Sequence, residues 1–139
     1  EDITKEKGGI PFPNKVSFIS QNWKKYPALI QDSTLVTKII DIEKTINGRA
    51  YYYIPKEKVL PFAGQIKTGD IILITTKKKG LDTAHVGIAI ENEGQIYLLH
   101  ASVSDKKVSI TTETLPDYLQ RITSHSGIMI GRLINFKSN

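Results

Sequence analysis

The spacing of hydrophobic positions changes near residue 50, and this change predicts the order of the elements. Before it, apolar residues recur every three or four positions through STLVTKIIDIEKTING, which predicts an amphipathic helix. Asp32 or Ser33 can cap its start, and Gly48 fits its end. Its apolar stripe consists of Leu35, Ile39, Ile42 and Ile46. We expect that stripe to lie in the core.

After residue 50, short apolar runs separated by polar turns are typical of strands. The predicted strands are RAYYYIP, IILITT, HVGIAI, QIYLLHAS, KKVSITT and GIMIGRLI, with ENEG as the turn of a hairpin. Residues 56–70 are interpreted as a connection. LPDYLQRI is predicted to be a second helix, capped by Thr114 with Asp117 three residues later. The order favours one α+β domain over residues 1–139, an antiparallel sheet packed on one side by the Leu35–Ile46 helix.

Composition and charge narrow the functional classes. The chain carries a net charge of +5, which favours anionic partners. Its basic residues are scattered, and no nucleic-acid-binding motif accompanies them, so no nucleic-acid partner is predicted. No apolar run approaches the ~20 residues that span a bilayer, so no membrane span is predicted. The chain has no cysteine, which excludes disulfides and thiolate metal sites.

Two of the three histidines lie at the outer ends of the predicted hairpin. A turn centred between Asn92 and Glu93 would place His85 directly opposite His100 on one face of the sheet. One imidazole could then orient the other and fix its tautomer. The neighbouring small residues Gly87, Ala89 and Ala101 would leave open space around the rings.

Two other interpretations of the histidines remain open. One or both histidines could be structural residues at strand ends. The pair could also bind zinc with Asp82 or Asp70 as a third ligand, although the spacing of the histidines matches no compact zinc motif. The third histidine, His125, is interpreted as a solvated residue at a helix end.

The segments GDIILI, HVGIAI and LLHAS, in that order, resemble the catalytic half of the NlpC/P60 cysteine hydrolases, which have a papain-like fold. More closely, YYYIPKEKV, IKTGDIILITT, GLDTAHVGIAI and LLHASVSDKKVSI are similar to the DUF1460 branch, whose members are regarded as N-acetylmuramoyl-L-alanine amidases. The resemblance implies a papain-like antiparallel sheet half with packed helices. It also implies a muropeptide or peptidoglycan fragment as substrate, a bacterial cell-envelope location (periplasmic or exported) and no cofactor.

The resemblance assigns roles to individual residues. His85 matches the catalytic base of the family, and His100 matches the residue that orients it. Asp70 is expected to be structural, at the start of a strand. Asp82 and Ser102, which adjoin the two histidines in sequence, are candidates for substrate contact.

One family feature is missing. The nucleophile of these hydrolases is a cysteine at a helix N-terminus, and this chain contains none. We therefore expect residues 1–139 to be the C-terminal part of a longer amidase, inactive alone, with the missing N-terminal cysteine-bearing segment or another chain as its partner. A catalytically inactive cell-wall-binding module is the alternative.

Overall fold

The computed structural model describes residues 1–13 and 15–134. Seven strands within these residues form one sheet. The strands follow the spatial order β1-β2-β7-β3-β4-β5-β6, and each neighbouring pair is antiparallel. Their bounds are β1 Ile10–Pro11, β2 Tyr52–Pro55, β3 Ile71–Thr76, β4 Thr83–Asn92, β5 Gln95–Ser102, β6 Lys107–Ile110 and β7 His125–Gly131. The predicted combination of helices with an antiparallel sheet is confirmed. The two-residue strand β1 lies in a segment that the sequence pattern did not assign to the sheet.

Five α-helices accompany the sheet in the described part of the chain. They are α1 Phe18–Gln21, α2 Pro27–Gln31, α3 Thr34–Asn47, α4 Lys56–Phe62 and α5 Leu115–Arg121, with short 3₁₀ turns at Trp23–Lys25 and Ala63–Gln65. The prediction of α3 and α5 is confirmed, and Thr114 caps α5 as expected by accepting the Asp117 backbone N–H. Helix α4 was missed because it is short and contains Pro61, which reads as a helix breaker. None of the described helices is long and apolar enough to cross a membrane.

The helices that cover the sheet are α4 and α5, so the predicted packing of α3 on the sheet is wrong. Val59 of α4 and Leu119 of α5 are fully buried against the inner face, where Ile72, Ile74 and Ile128 are also fully buried. Side chains alternate between the two faces of a strand, so the even-numbered residues of β3 form this inner face.

Helix α3 packs instead against α1 and α2, and its apolar stripe is only partly buried. Its one buried residue is Glu43, whose carboxylate accepts hydrogen bonds from the backbone N–H and the hydroxyl of Ser20 in α1. The Asn47 side chain accepts a hydrogen bond from the Val16 backbone N–H and donates one to the Val16 carbonyl oxygen. Ile42 remains 54% exposed. An amphipathic pattern predicts that a helix has an apolar face, but not which element covers it.

The β4–β5 hairpin turns through Glu93 and Gly94, both of which have positive φ angles, of 51° and 76°. This two-residue turn pairs Asn92 with Gln95, and Ile88 with Leu99 further along the ladder. The turn therefore lies one residue later than the sequence analysis assumed. Because both strands shift together, the register changes by two residues, and every side chain stays on its predicted face.

Asp70 lies at the start of β3 and is structural, as expected. Its carboxylate receives two hydrogen bonds from the Arg132 guanidinium, at 2.7 and 2.6 Å, and one from the Lys67 backbone N–H. Burial raises the pKa of Asp70, but the hydrogen bonds and the positive charge of Arg132 outweigh it and hold the pKa below its usual value. This ion pair joins the start of β3 to the end of β7.

Candidate active site

The two predicted histidines come together in space. The distance from Nε2 of His85 to Nδ1 of His100 is 2.7 Å, and the two rings are perpendicular, with centroids 4.9 Å apart. The prediction that they stand directly opposite each other is wrong, because the register of the turn places them as diagonal neighbours. Diagonal positions on two adjacent strands are roughly 7–8 Å apart, a distance that two imidazole side chains can bridge.

The small residues beside the histidines serve close packing rather than an open cleft. A Cβ atom on Gly87 would lie 2.5 Å from Cγ of Leu98, so the Leu98 side chain already fills the space beside that glycine. Ala89 is fully buried in the core. Ala101 belongs to the outer face of the sheet and is exposed. These three residues therefore do not create the open space beside the histidine rings.

His85 has the properties of a neutral base. Burial, together with the nearby His100, lowers the pKa of His85 below its ordinary value. Its Nε2 is taken by the bond to His100, and within residues 1–13 and 15–134 no group hydrogen-bonds to its Nδ1. Nδ1 of His85 is therefore the nitrogen left to act on a reacting group.

The third histidine, His125, belongs to the same cluster, although its sequence pattern does not indicate this. His125 opens β7 and is only 4% exposed, so its interpretation as a solvated helix-end residue is wrong. Burial is the main cause that lowers the pKa of His125, and electrostatic interactions with His85, Lys56 and Arg121 lower it further. Its Nδ1 has no hydrogen-bond partner among the residues described. His125 lies shortly after α5 in the sequence, and the one sequence signal for its burial was the apolar strand that it opens.

Tyr118 of α5 links the histidines. Its ring is perpendicular to that of His100 at 5.7 Å between centroids, and it lies tilted beside His125 at the same distance. The Arg121 guanidinium lies 5.3 Å from the centroid of the Tyr118 ring and donates two hydrogen bonds to Glu113, at 2.8 and 2.6 Å. Helix α5 thus brings an aromatic ring and an ion pair to the pair His85/His100.

A cleft of about 840 Å³ opens beside this cluster, within the size range of small-molecule sites. It lies between α5 and the ends of β5 and β6, and its walls include His85, His100, Ser102, Tyr118, Arg121 and His125. Ser102, a candidate for substrate contact, lines the cleft but is largely buried. Its hydroxyl bonds to Ser104 and accepts the Asp105 backbone N–H, so it also shapes the following turn.

Asp82 does not join the histidines. Its carboxylate accepts the backbone N–H of Thr83, and its side chain lines a separate, smaller cleft with Lys15 and Tyr51. Since Asp70 is held by Arg132, neither carboxylate is available as the third zinc ligand considered from the sequence. Among the residues described, no group of three or more His, Cys, Asp or Glu side chains could hold a metal ion.

Comparison with known proteins gives the site a family context. The family model described as AmiA-like, N-acetylmuramoyl-L-alanine amidase-like, matches residues 1–128. No curated protein matches the chain.

The solved structures that resemble the chain include two Bacteroides proteins and a Legionella protein. A proposed xylanase from Bacteroides fragilis is 35% identical, with 94% of this chain and 57% of that chain covered and a TM-score of 0.84. An N-acetylmuramoyl-L-alanine amidase from Bacteroides uniformis ATCC 8492 is 34% identical, covers 94% of this chain and 55% of that chain, and has a TM-score of 0.85. A DUF1460 protein from Legionella pneumophila is 24% identical over 71% of this chain and 40% of its own, with a TM-score of 0.49, a likeness too low for any conclusion. The chain spans little more than half the length of the two Bacteroides proteins.

Proposed function

Since this chain belongs to the AmiA-like, N-acetylmuramoyl-L-alanine amidase-like family, we propose that it supplies the base and the orienting histidine of a cysteine amidase that acts on muropeptides in the bacterial cell envelope. The observation that carries the proposal is the 2.7 Å contact between His85 and His100, which leaves Nδ1 of His85 unpartnered beside an open cleft. The proposed architecture is the sheet half of a papain-like fold of the NlpC/P60 type, DUF1460 branch.

The proposed reaction cleaves the amide between the lactyl group of muramic acid and the first alanine of the stem peptide. Nδ1 of His85 takes the proton of a cysteine thiol, and the thiolate attacks the lactyl carbonyl. The tetrahedral intermediate collapses, and His85 returns the proton to the departing peptide amine. A water molecule, activated by His85, then hydrolyses the thioester. His100 holds the ring of His85 throughout.

The nucleophile must come from outside these 139 residues, because they contain no cysteine. The two Bacteroides relatives are each covered to less than three fifths of their length, so they have room for such a segment. We propose that a cysteine-bearing segment, on the same polypeptide or on a partner chain, places its thiol beside Nδ1 of His85. Asp82 is not part of this proposal because it lines a different cleft, whereas Ser102 remains a candidate for substrate contact.

The test uses the complete gene product and a purified muropeptide, with the released stem peptide measured by mass spectrometry. We expect turnover by the complete protein and none by residues 1–139. The variant His85→Ala should lose at least about 10³-fold in kcat/KM while its circular dichroism spectrum stays unchanged. Full activity of His85→Ala would refute the proposed base.

The absence of cysteine together with a net charge of +5 favours one second candidate, an inactive module that binds anionic cell-wall fragments. It predicts that residues 1–139 bind muropeptides in isothermal titration calorimetry and that the complete gene product has no cysteine. A cysteine-dependent turnover would exclude it.

A further inference from the structure

The bond between His85 and His100 can be made in two ways, and only one leaves His85 able to act as a base. Each neutral imidazole carries one N–H and one lone pair. If His85 donates from Nε2, its lone pair lies on Nδ1, the nitrogen without a hydrogen-bond partner among the residues described. If His100 donates from Nδ1, then Nε2 of His85 accepts and the proton of His85 occupies Nδ1. The second arrangement has no basic nitrogen for an incoming thiol.

The choice depends on the other nitrogen of His100. In the productive arrangement, His100 carries its proton on Nε2, and a half-buried N–H needs an acceptor. Among the described residues, no oxygen or nitrogen hydrogen-bonds to that atom. The Tyr118 ring is the neighbouring group, perpendicular to His100 at 5.7 Å, the arrangement in which the edge of one ring meets the face of the other. An aromatic face is negative, so it attracts an N–H and repels a lone pair.

We propose that Tyr118 is a positioning residue, whose ring face accepts the Nε2–H of His100 and so keeps a lone pair on Nδ1 of His85. The catalytic meaning of this inference rests on the proposed function. The tautomers themselves do not, because they are a property of residues 1–139 alone and can be measured without any nucleophile.

The surroundings of Tyr118 hold its ring in place for this role. The residue is 9% exposed, and the neighbouring Leu119 is fully buried in the core. The Arg121–Glu113 ion pair lies against the same ring. The hydroxyl of Tyr118 hydrogen-bonds to none of the described residues, so the ring and not the hydroxyl carries the proposed interaction.

The experiment is long-range ¹H–¹⁵N correlation NMR on ¹⁵N-histidine-labelled residues 1–139 at pH 8, which shows the nitrogen that carries each proton. We expect both His85 and His100 to be protonated at Nε2. The variant Tyr118→Phe keeps the ring and should leave this pattern unchanged. Tyr118→Leu removes the aromatic face and should shift the His100 tautomer ratio about two- to fivefold toward Nδ1–H, with His85 following. Tyr118→Met supplies the same measurement if the leucine variant does not fold.

The matched control is Tyr97→Leu, the same substitution at a tyrosine on the face of β5 opposite to His100. This variant should not alter the tautomers. An Nδ1 proton on His100 in the unaltered chain, or an unchanged ratio in a folded Tyr118→Leu or Tyr118→Met variant, would overturn the inference. The two proposals can fail separately. Expected tautomers without amidase activity in the complete gene product refute only the proposed function, whereas cysteine-dependent activity with tautomers insensitive to Tyr118 refutes only this inference.

Discussion

At the residue scale, three histidines within one cluster differ in what surrounds each ring. His85 is partly buried and bonded at Nε2, His100 shares that bond through Nδ1, and His125 is buried with an Nδ1 that has no partner among the residues described. Burial disfavours a charged imidazole, which is the main reason that the pKa values of His85 and His125 are both lowered. The surroundings of His85 and His125 therefore favour neutral rings at neutral pH, the state that a base needs before it takes a proton.

The lowered pKa values predict how stability depends on pH. Between the unfolded-state histidine pKa of about 6.5 and the lower folded-state values, the unfolded chain binds more protons than the folded one. The contribution of these two histidines to the free energy of unfolding should therefore be fully present above about pH 6.5. It should be lost as the pH is lowered through their folded-state pKa values. Urea unfolding from pH 5 to pH 8 checks this. His125→Phe, which cannot titrate, should flatten the dependence, whereas Ser104→Ala in the same cleft should not. A slope of opposite sign would contradict the assignment.

Gly87 gives a second prediction at this scale. A methyl group at this position would lie 2.5 Å from Cγ of Leu98 and 2.9 Å from the Leu99 carbonyl oxygen, so the strands must separate or Leu98 must move. We expect Gly87→Ala to lower the free energy of unfolding by about 1–3 kcal/mol. Gly64→Ala is the control, because no atom lies within 4 Å of a Cβ at that position and its φ is not positive. Equal stability of the two variants in urea titrations would contradict this packing.

At the element scale, the local sequence pattern predicted the secondary structure of each segment better than the element against which the segment packs. The alternation in HVGIAI and QIYLLHAS correctly predicted the face shared by His85 and His100, because a strand repeats every two residues whatever its partner. Their exact register depended on the turn, and ENEG allows a turn centre on either side of Glu93. Which elements pack against α3, and whether His125 is buried, depend on contacts between residues distant in sequence. The periodicity of a single segment does not predict such contacts. Helix α4 shows the same limit. Pro61 argues against a helix in the sequence, but packing of buried residues such as Val59 and Phe62 stabilises the helix in the folded chain.

The separation of α3 from the sheet predicts a local response to mutation. Glu43 is its one buried residue and is bonded to Ser20, so Glu43→Ala should loosen α3 from α1 without disturbing the core. Hydrogen exchange measured by NMR should become faster in α1 and α3, whereas amide protection in β3 and β7 stays unchanged. Lys44→Ala, the neighbouring exposed residue, is the control. Equal loss of protection in the central strands would show that α3 is part of the core unit.

At the scale of the whole molecule, helices cover one face of the sheet, whereas part of the other face is open. The inner face is closed by α4 and α5. The outer face carries a continuous cross-strand row, which consists of Ile71, Ile88, Leu99 and Ile110 on four neighbouring strands. Ile88 and Ile110 are 42% and 51% exposed. Antiparallel sheets commonly present polar side chains on a solvated face, so an aliphatic row there is unusual.

This outer row predicts that the chain binds hydrophobic dyes in its folded state. Contiguous apolar side chains on a rigid face create a site for anilinonaphthalene sulfonate, which an isolated exposed residue does not. Ile88→Lys interrupts the row at its centre and should reduce dye fluorescence at least about twofold. The midpoint of urea unfolding should fall by no more than is typical of a surface substitution. Leu60→Lys is the matched control, because Leu60 is 70% exposed and lies on α4, away from the row. If both variants reduce dye binding equally, the dye reports general exposure. If only Ile88→Lys does, the open face of the sheet acts as one continuous apolar surface.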